Sequence, residues 1–183
     1  MLITLIRHLP TEWNKKGLLQ GKKDIPILPI TETIQQDIRR NLVRLSKTPP
    51  PSIVLASMLK RTQQTAYYYG FQPVIDGLLD ELDFGPFEGK TKRELIKITG
   101  ETWFINPKAS VLRQHIEELE MRIRLFLEKY KNCEHVLVFG HGAWIRALIS
   151  YINTRDVTKM NQMKVLNNQM IQIEYVKRRM TIE

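Results

Sequence analysis

Three short runs of apolar residues constrain the fold of this chain more than any other feature. The runs are LITLI at residues 2–6, IVLA at 53–56 and VLVF at 136–139, and none of them alternates with polar residues. Short uninterrupted apolar runs are typical of strands that are buried on both faces, as in a parallel sheet. The sequence therefore predicts a sheet that is covered by helices on both sides.

The segments between these strands have the periodicity of helices. Helical patterns cover residues 31–46, 60–69, 92–99, 110–130 and 143–153. A last segment, residues 170–176, alternates apolar and polar residues, which is typical of an edge strand with one buried face. The alternation of strands with helices predicts an α/β fold with a mostly parallel sheet.

Length and composition narrow the class of protein. At 183 residues without a linker-like stretch, the chain is predicted to form one domain, residues 1–183. The single cysteine, Cys133, favours a reducing cytoplasm, and no apolar run is long enough to cross a membrane. The formal net charge of +9 is scattered, without the motifs of nucleic-acid-binding domains. We therefore expect neither a membrane nor a nucleic acid as a partner, but a field that attracts small anions.

Basic and histidine side chains follow each of the three apolar runs. Arg7 and His8 come directly after the first, Arg61 lies shortly after the second, and His141 follows the third. Because ligands of open α/β sheets bind beyond the carboxyl ends of the strands, we expect these side chains to meet. Grouped cations repel one another unless an anion lies between them, and arginine pairs well with phosphate oxygens. The sequence therefore predicts a phosphate site.

Chemistry on a phosphate ester also needs a nucleophile and a proton donor. His8 is the candidate nucleophile, because neighbouring arginines lower the pKa of an imidazole and leave a ring nitrogen unprotonated. Phe84 and Phe87 predict partial burial of the loop LLDELDFGPFEGK, and burial favours the protonated carboxyl that a general acid needs. This loop holds three candidate acids, Glu81, Asp83 and Glu88.

These motifs, in this order, resemble those of the histidine phosphatase superfamily, also called the phosphoglycerate mutase-like family. The resemblance runs through RHLPTEWN, LLQGKKDIPI, ASMLKRTQQTA, ELDFGPFEG and VLVFGHG. It implies a three-layer α/β/α sandwich with a mostly parallel sheet and one antiparallel edge strand. It also implies a phosphomonoester hydrolase that acts on a small organic phosphate through a phosphohistidine, with no cofactor.

Carried over to this sequence, the resemblance makes His8 the nucleophile and places Arg7, Arg61 and His141 around the phosphate. Glu81 is assigned as the general acid, because its spacing to the following glycines fits the pattern ExxxGxxEG, and Asp83 is the alternative. Asn14, at the asparagine of the pattern RHGxTxxN, and Gln20, within LLQGKKDIPI, are assigned to substrate binding. No metal is expected, because His115 and His135 lack carboxylate or thiolate partners at metal-ligand spacing.

The sequence departs from the family pattern directly after the nucleophile. Leu9 and Pro10 stand where the pattern has glycine. Pro10 fixes its own φ and biases Leu9 toward an extended conformation. Two alternatives stay open: the substitution stiffens the loop, or Leu9 narrows the mouth of the pocket.

Residues 90–115 are the segment that can form a lid over the site. Trp103 lies in this basic segment, where it either packs on the domain or forms a substrate wall for an anionic or ring-bearing leaving group. The short C-terminal stretch KRRMTIE would leave the pocket open to water, which favours hydrolysis over a phosphoglycerate-type mutase. A non-catalytic phosphate-binding module is a third alternative. The physiological substrate and the oligomeric state, monomer or homodimer, stay open.

Overall fold

One sheet organises residues 1–176, the part of the chain that the computed structural model describes. Its strands are β1 (Leu2–Arg7), β2 (Ile53–Ala56), β3 (Val74–Ile75), β4 (His135–Gly140) and β5 (Met170–Glu174). The strand order is β3-β2-β4-β1-β5. Pairing is parallel except between β1 and β5, which run antiparallel. The predicted mostly parallel sheet with one antiparallel edge strand is therefore confirmed.

Helices cover both faces of the sheet and complete the three layers. They are α1 (Glu12–Lys15), α2 (Glu32–Leu45), α3 (Lys60–Tyr68), α4 (Lys92–Thr99), α5 (Thr102–Ile105), α6 (Arg113–Lys129) and α7 (Gly142–Thr154). Inward residues of α6 and α7 pack with one face of β1, β2 and β4 in a large core. Residues of α2 and α3 pack on the opposite face in a second core.

Local chemistry explains where the helices begin. Thr31 caps α2 by accepting a hydrogen bond from Ile34 N, and Thr91 forms a capping box with Glu94 at the start of α4. The helix predicted over residues 110–130 begins only at Arg113, because a 3-10 turn at Pro107–Ala109 precedes it.

The elements that the periodicity did not predict are short. They are β3 and the one-turn helices α1 and α5, which contain two to four residues each and are too short for a period to show. The predicted edge strand over residues 170–176 ends at Glu174. The C-terminal stretch KRRMTIE, residues 177–183, lies outside the described residues.

The sheet places the functional candidates at one rim. β1, β2 and β4 are neighbours and run parallel, so their carboxyl ends open to the same side of the molecule. His8 comes directly after β1, and His141 lies between β4 and α7. Arg61 lies in the first turn of α3, shortly after β2.

Candidate active site

A cavity of about 130 Å³ opens at this rim of the sheet. Of the eight residues predicted from the sequence to form the site, seven line the cavity; they are Arg7, His8, Asn14, Gln20, Arg61, Glu81 and Trp103. The eighth, His141, is fully buried beside it, with its ring centroid 5.3 Å from that of His8. The structure therefore brings all eight side chains together.

The hydrogen bonding of His8 determines which ring nitrogen is free. Nδ1 lies 2.8 Å from the carbonyl oxygen of Leu9. A carbonyl can only accept a hydrogen bond, so Nδ1 carries the proton and Nε2 carries the lone pair. Burial, with the charges of Arg7 and Arg61, holds the pKa of His8 well below 6.5. His8 is thus a neutral imidazole with an unprotonated Nε2 at neutral pH.

His141 is held in the opposite tautomer. Its Nδ1 accepts a hydrogen bond of 3.2 Å from Arg61 Nε, so the proton lies on Nε2, which donates to Ser57 Oγ at 2.7 Å. Burial, with the nearby charges of Arg61 and Arg7, holds the pKa of His141 well below 6.5. His141 therefore orients Arg61 in this structure, and its direct contact with a phosphate stays a prediction.

Two arginines, Arg61 fully buried and Arg7 partly buried, supply positive charge. Arg61 is fully buried and donates through its terminal nitrogens to the carbonyl oxygens of Lys23 at 2.6 Å and Gly21 at 2.8 Å. Arg7 Nη1 donates to the carbonyl oxygen of Val165 at 2.7 Å, and Arg7 Nε is buried without a hydrogen-bond partner. Burial lowers the pKa of Arg7 to about 10, which leaves it charged at neutral pH. The unpartnered Nε–H is available to an anion.

Glu81 is the acidic residue that lines the cavity. It lies at the amino end of α7, where Oε2 accepts a hydrogen bond from Ala143 N at 3.1 Å and Oε1 accepts one from Trp144 N at 3.0 Å. Asp83, the alternative acid, is not among the lining residues, and its Oδ1 accepts from Gly85 N at 2.7 Å. The geometry therefore favours Glu81 over Asp83 for contact with a substrate.

Asn14 and the first loop are fixed by a residue that the sequence did not single out. Asn14 Oδ1 accepts from Thr11 N at 3.1 Å and from Asn167 Nδ2 at 3.2 Å. Asn167 Nδ2 also donates to the carbonyl oxygen of His8 at 2.9 Å. Asn167 precedes β5 and thus ties the loop to the antiparallel edge of the sheet. No motif marked it, because an asparagine before a strand is ordinary turn chemistry.

The side chain of Leu9 points away from the cavity. It is fully buried and belongs to the core formed with α2 and α3, which also contains Ile6, Ile38 and Ala66. Leu9 N donates to Thr65 Oγ1 at 3.0 Å. Of the two alternatives left by the sequence, this geometry fits a stiffened loop and not a narrowed pocket mouth.

The cavity contains two further cations, Arg146 and Lys92. Arg146 lies one turn into α7, and Lys92 is the first residue of α4. A basic residue on a helix is unremarkable in a chain with a net charge of +9, so neither was predicted. The available signal is helical spacing: Arg146 follows Gly142 by four residues, which places it on the face of α7 that begins at the rim.

His135 has structural hydrogen-bond partners, away from the cavity. His135 Nδ1 donates to the carbonyl oxygen of Pro49, and its Nε2 accepts from Thr4 Oγ1. Within residues 1–176, no group of three histidine, cysteine or acidic side chains is placed to hold a metal ion. In the same part of the chain, no helix combines the length and the apolar character needed to cross a membrane.

The chain is similar in sequence to proteins named as a phosphatase and as a mutase. The family model described as histidine phosphatase superfamily (branch 1) matches residues 3–183. "Putative phosphoserine phosphatase 2" from Hydrogenobacter thermophilus is 30% identical over 156 residues, which cover 79% of this chain and 75% of that protein. "Probable phosphoglycerate mutase GpmB" from Enterobacter sp. (strain 638) is 28% identical over 188 residues, which cover 94% of this chain and 84% of that protein.

The fold is likewise that of a solved relative. The crystal structure of TTHB049 from Thermus thermophilus superposes with a TM-score of 0.71 at 26% sequence identity, covering 96% of this chain and 94% of that chain. The chain therefore belongs to the histidine phosphatase superfamily, with the phosphoglycerate mutase-like fold that its motifs implied. The name of the family and that of the Hydrogenobacter thermophilus relative support the predicted phosphatase class.

Proposed function

We propose that the protein hydrolyses small phosphomonoesters through a phosphohistidine intermediate on His8. The observation that carries this proposal is the state of His8, whose Nδ1 is occupied by the carbonyl oxygen of Leu9 and whose pKa lies well below 6.5. A neutral imidazole with a free Nε2 at the wall of a cationic cavity is a suitable nucleophile for phosphorus. In this proposal His8 is the nucleophile and Glu81 the general acid. The residues around the phosphate and the substrate are those assigned from the sequence, namely Arg7, Arg61, His141, Asn14, Gln20 and Trp103.

The reaction divides into two transfers. In the first, His8 Nε2 attacks phosphorus, the bond to the ester oxygen breaks, and the leaving oxygen takes a proton from Glu81. In the second, water attacks the phosphohistidine, the bond between phosphorus and Nε2 breaks, and Glu81 takes back the proton.

Arginine supplies the charge stabilisation that this chemistry needs. Phosphoryl transfer depends mainly on positioning and on groups that balance the charge of the equatorial oxygens. Arg7 offers its unpartnered Nε–H, and Arg61 is held in place by two carbonyl oxygens and His141. We therefore expect turnover that does not depend on an added metal.

The test is hydrolysis of p-nitrophenyl phosphate in the presence of EDTA. We expect wild-type activity to persist, and His8→Ala to lower kcat by about a thousandfold or more. Rapid quenching should trap one phosphoryl group per chain that is stable in base and labile in acid, as a phosphohistidine is. His115→Ala is the control, because His115 lies on α6 outside the cavity, and it should retain activity within about twofold.

Two outcomes would contradict the proposal. Full activity of His8→Ala would show that His8 is not the nucleophile. Activity that is lost in EDTA and restored by a divalent metal would show that the reaction depends on a metal. A mutase would instead transfer the phosphoryl group to added phosphoglycerate and would require a bisphosphate primer. Phosphate release without an acceptor separates hydrolysis from that alternative.

We also propose that residues 90–115 act as a lid and that the partner is a small phosphorylated metabolite. Lys92 and Trp103 belong to this segment and line the cavity, which supports both statements. The cavity volume of about 130 Å³ is below the roughly 300–1,000 Å³ of typical drug-sized ligand pockets. A cytoplasmic location stays a prediction from the composition.

A further inference from the structure

The main chain of the loop that carries Glu81 is bound by an arginine of α6. We infer that this arginine, Arg122, is a positioning residue, which holds the main chain of Glu81 so that its carboxyl group meets the leaving oxygen of the substrate. Arg122 is not among the residues that line the cavity, so it acts through Glu81 and not on the substrate. The inference deepens the proposed function and rests on it, because Glu81 is the general acid of that proposal.

The first support is the set of carbonyl oxygens that Arg122 binds. Its Nη1 donates to the carbonyl oxygen of Leu78 at 3.3 Å and also to that of Asp80. Its Nη2 donates to the carbonyl oxygen of Glu81 at 3.2 Å. A planar guanidinium can bind several carbonyl oxygens at once, whereas a lysine ammonium lacks that fork. One side chain therefore fixes the main chain before the general acid and at the general acid itself.

The second support is that the carboxylate of Glu81 has a separate anchor on α7. It accepts hydrogen bonds from Ala143 N and Trp144 N at the start of that helix. The indole Nε1 of Trp144 also donates to the carbonyl oxygen of Leu78 at 2.7 Å. Glu81 is thus held by α7 at its carboxylate and by α6 at its main chain. A shift of the main chain would therefore change the position from which the carboxyl group gives its proton.

The third support is that α6 also binds the beginning of this loop. Asp76 caps the 3-10 turn Gly77–Leu79, which leads to the general acid. Asp76 Oδ2 accepts hydrogen bonds from Lys129 Nζ and from the hydroxyl of Tyr130, both at 2.7 Å. The loop is therefore bound at both ends by residues of α6 and its carboxyl end, and Arg122 makes the contact at the end that carries the acid.

The fourth support is the charge around Arg122. Burial lowers the pKa of Arg122, and nearby carboxylates oppose that effect; they are Asp80, Glu81, Glu118 and Asp83. Three of these four acids belong to the same loop as the carbonyl oxygens that Arg122 binds. The counterions of Arg122 are thus supplied by the protein, which fits a positioning role and not the binding of a phosphate.

The role of Arg122 predicts a dependence on the leaving group. Proton donation by a carboxyl group matters most for an alkoxide, which is a strong base, and least for nitrophenolate, which leaves without a proton. Three esters cover this range: propyl phosphate, phenyl phosphate and p-nitrophenyl phosphate. The measurement is kcat for each of the three.

Arg122→Met is the main variant, because it removes all the donors and keeps an unbranched side chain. We expect kcat for propyl phosphate to fall by about 10–100-fold, since a displacement of about 1 Å can cost about a hundredfold in rate. The loss should be smaller for phenyl phosphate and should stay within about threefold for p-nitrophenyl phosphate. A variant that is only less stable loses the same fraction of its activity on every ester. An equal loss on all three esters would therefore overturn the inference.

Two further variants complete this comparison. Arg122→Lys keeps the charge without the fork, so it should retain more activity on propyl phosphate than Arg122→Met. If Arg122→Met fails to fold, Arg122→Lys carries the test with the same ranking of the three esters. Arg124→Met is the matched control, because Arg124 lies on the same helix at an exposed position. Its kcat should stay within about twofold of the wild type on every ester.

The double variant Arg122→Met/Glu81→Gln assigns the effect to the general acid. Once Glu81→Gln has removed the proton donor, Arg122→Met should lower kcat for propyl phosphate by no more than about threefold further. Losses that multiply in the double variant would show that Arg122 does not act through Glu81, and would overturn the inference.

Glu81→Gln alone separates this inference from the proposed function. If Glu81→Gln slows all three esters equally, the general acid of the proposed function is wrong, and the inference falls with it. If Glu81→Gln slows propyl phosphate most while Arg122→Met slows all three esters alike, the proposed function stands and only the inference fails. A loss that is largest for propyl phosphate in both variants, without a further loss in the double variant, supports the inference.

Discussion

The two ends of the cavity differ in how their side chains are held. At the phosphate end, the side chains of His8, Arg61 and His141 leave the ends of strands or the first turns of helices and are hydrogen-bonded to backbone or to each other. At the leaving-group end, Lys92 and Trp103 come from the segment 90–115, and Trp103 Nε1 has no partner. Apart from Arg7 Nε, the side chains of the phosphate end are held by the protein itself, whereas the buried donor of Trp103 at the leaving-group end has no protein partner.

This difference separates chemistry from specificity. Groups that stabilise transferred charge act best when they are rigid before the substrate arrives. Groups that select a leaving group need only match what the substrate presents. Changes at the phosphate end should therefore slow all esters alike, and changes at the leaving-group end should alter the ratio between esters.

The largest effect is expected for Glu81→Gln, which lies between the two ends. Glutamine cannot give a proton to the leaving oxygen, so kcat for propyl phosphate should fall by about 10²–10⁴-fold. The loss should be smaller for p-nitrophenyl phosphate, because nitrophenolate leaves without a proton. The measurement is steady-state kcat for both substrates.

Asp83→Asn is the matched control for Glu81→Gln. Asp83 lies on the same loop, but its carboxylate accepts from Gly85 N and does not line the cavity. Its kcat should stay within about threefold of the wild type. A larger loss for Asp83→Asn than for Glu81→Gln would assign the general acid to Asp83 instead.

The next effect is on stability, at the loop that carries the nucleophile. Leu9→Ala removes a fully buried side chain from the core under α2 and α3, and should lower the free energy of unfolding by about 2–5 kcal/mol. If the buried side chain holds the loop, kcat should also fall by a similar factor for all esters. Chemical denaturation and kinetics on the three esters measure these effects.

Leu18→Ala provides the comparison for Leu9→Ala. Leu18 is only partly buried and lines the cavity, so the loss of unfolding free energy should be smaller. An unchanged stability of Leu9→Ala would mean that the leucine is not an anchor. A changed ratio between propyl phosphate and the two aryl esters would mean that Leu9 acts at the pocket mouth after all.

A smaller effect is expected for Ser57→Ala at the phosphate end. Ser57 Oγ accepts a hydrogen bond from His141 Nε2 and so holds the proton on that nitrogen. Without this acceptor, the tautomer in which His141 Nδ1 accepts a hydrogen bond from Arg61 is no longer fixed. We expect kcat/KM to fall by about tenfold for all three esters, with the ratio between them unchanged. Ser46→Ala, at the exposed end of α2, is the control. If Ser57→Ala instead changed the ratio of kcat/KM between the esters and left the overall rate unchanged, the phosphate end would not act on all esters alike.

The sequence predicted the phosphate end better than the leaving-group end for a physical reason. His8 and His141 follow buried strands, and parallel strands bring their ends together whatever the loops do. Arg146 and Lys92 lie on helices: helical spacing from Gly142 indicates only the face of α7 that carries Arg146, and the approach of Lys92 to the cavity depends on packing between distant segments. Asn167 was missed for the same reason, since its contact with His8 bridges distant parts of the chain. The direction of the Leu9 side chain could not be predicted either, because a single residue has no periodicity.

The smallest effect is the pH dependence of stability that the buried histidine creates. The pKa of His8 is held well below 6.5 in the folded protein, whereas the unfolded chain binds a proton near pH 6.5. The neutral His8 therefore costs the folded protein no stability above pH 6.5. The free energy of unfolding decreases as the pH falls from 6.5 toward the pKa of His8 in the folded state. Between these two pKa values, protonation of His8 in the unfolded chain should lower the free energy of unfolding by about 1.4 kcal/mol for each unit by which the pH falls.

His8→Asn isolates this contribution, because the other titrating groups stay in place. The wild type should lose stability more steeply than His8→Asn as the pH falls below 6.5, and the two slopes should agree above pH 7.5. Chemical denaturation at a series of pH values provides both slopes. Equal slopes at all pH values would mean that the pKa of His8 is the same in the folded and the unfolded chain, so that burial and the arginines do not keep the imidazole neutral. The stability measurement thus tests the preorganised phosphate end without any substrate.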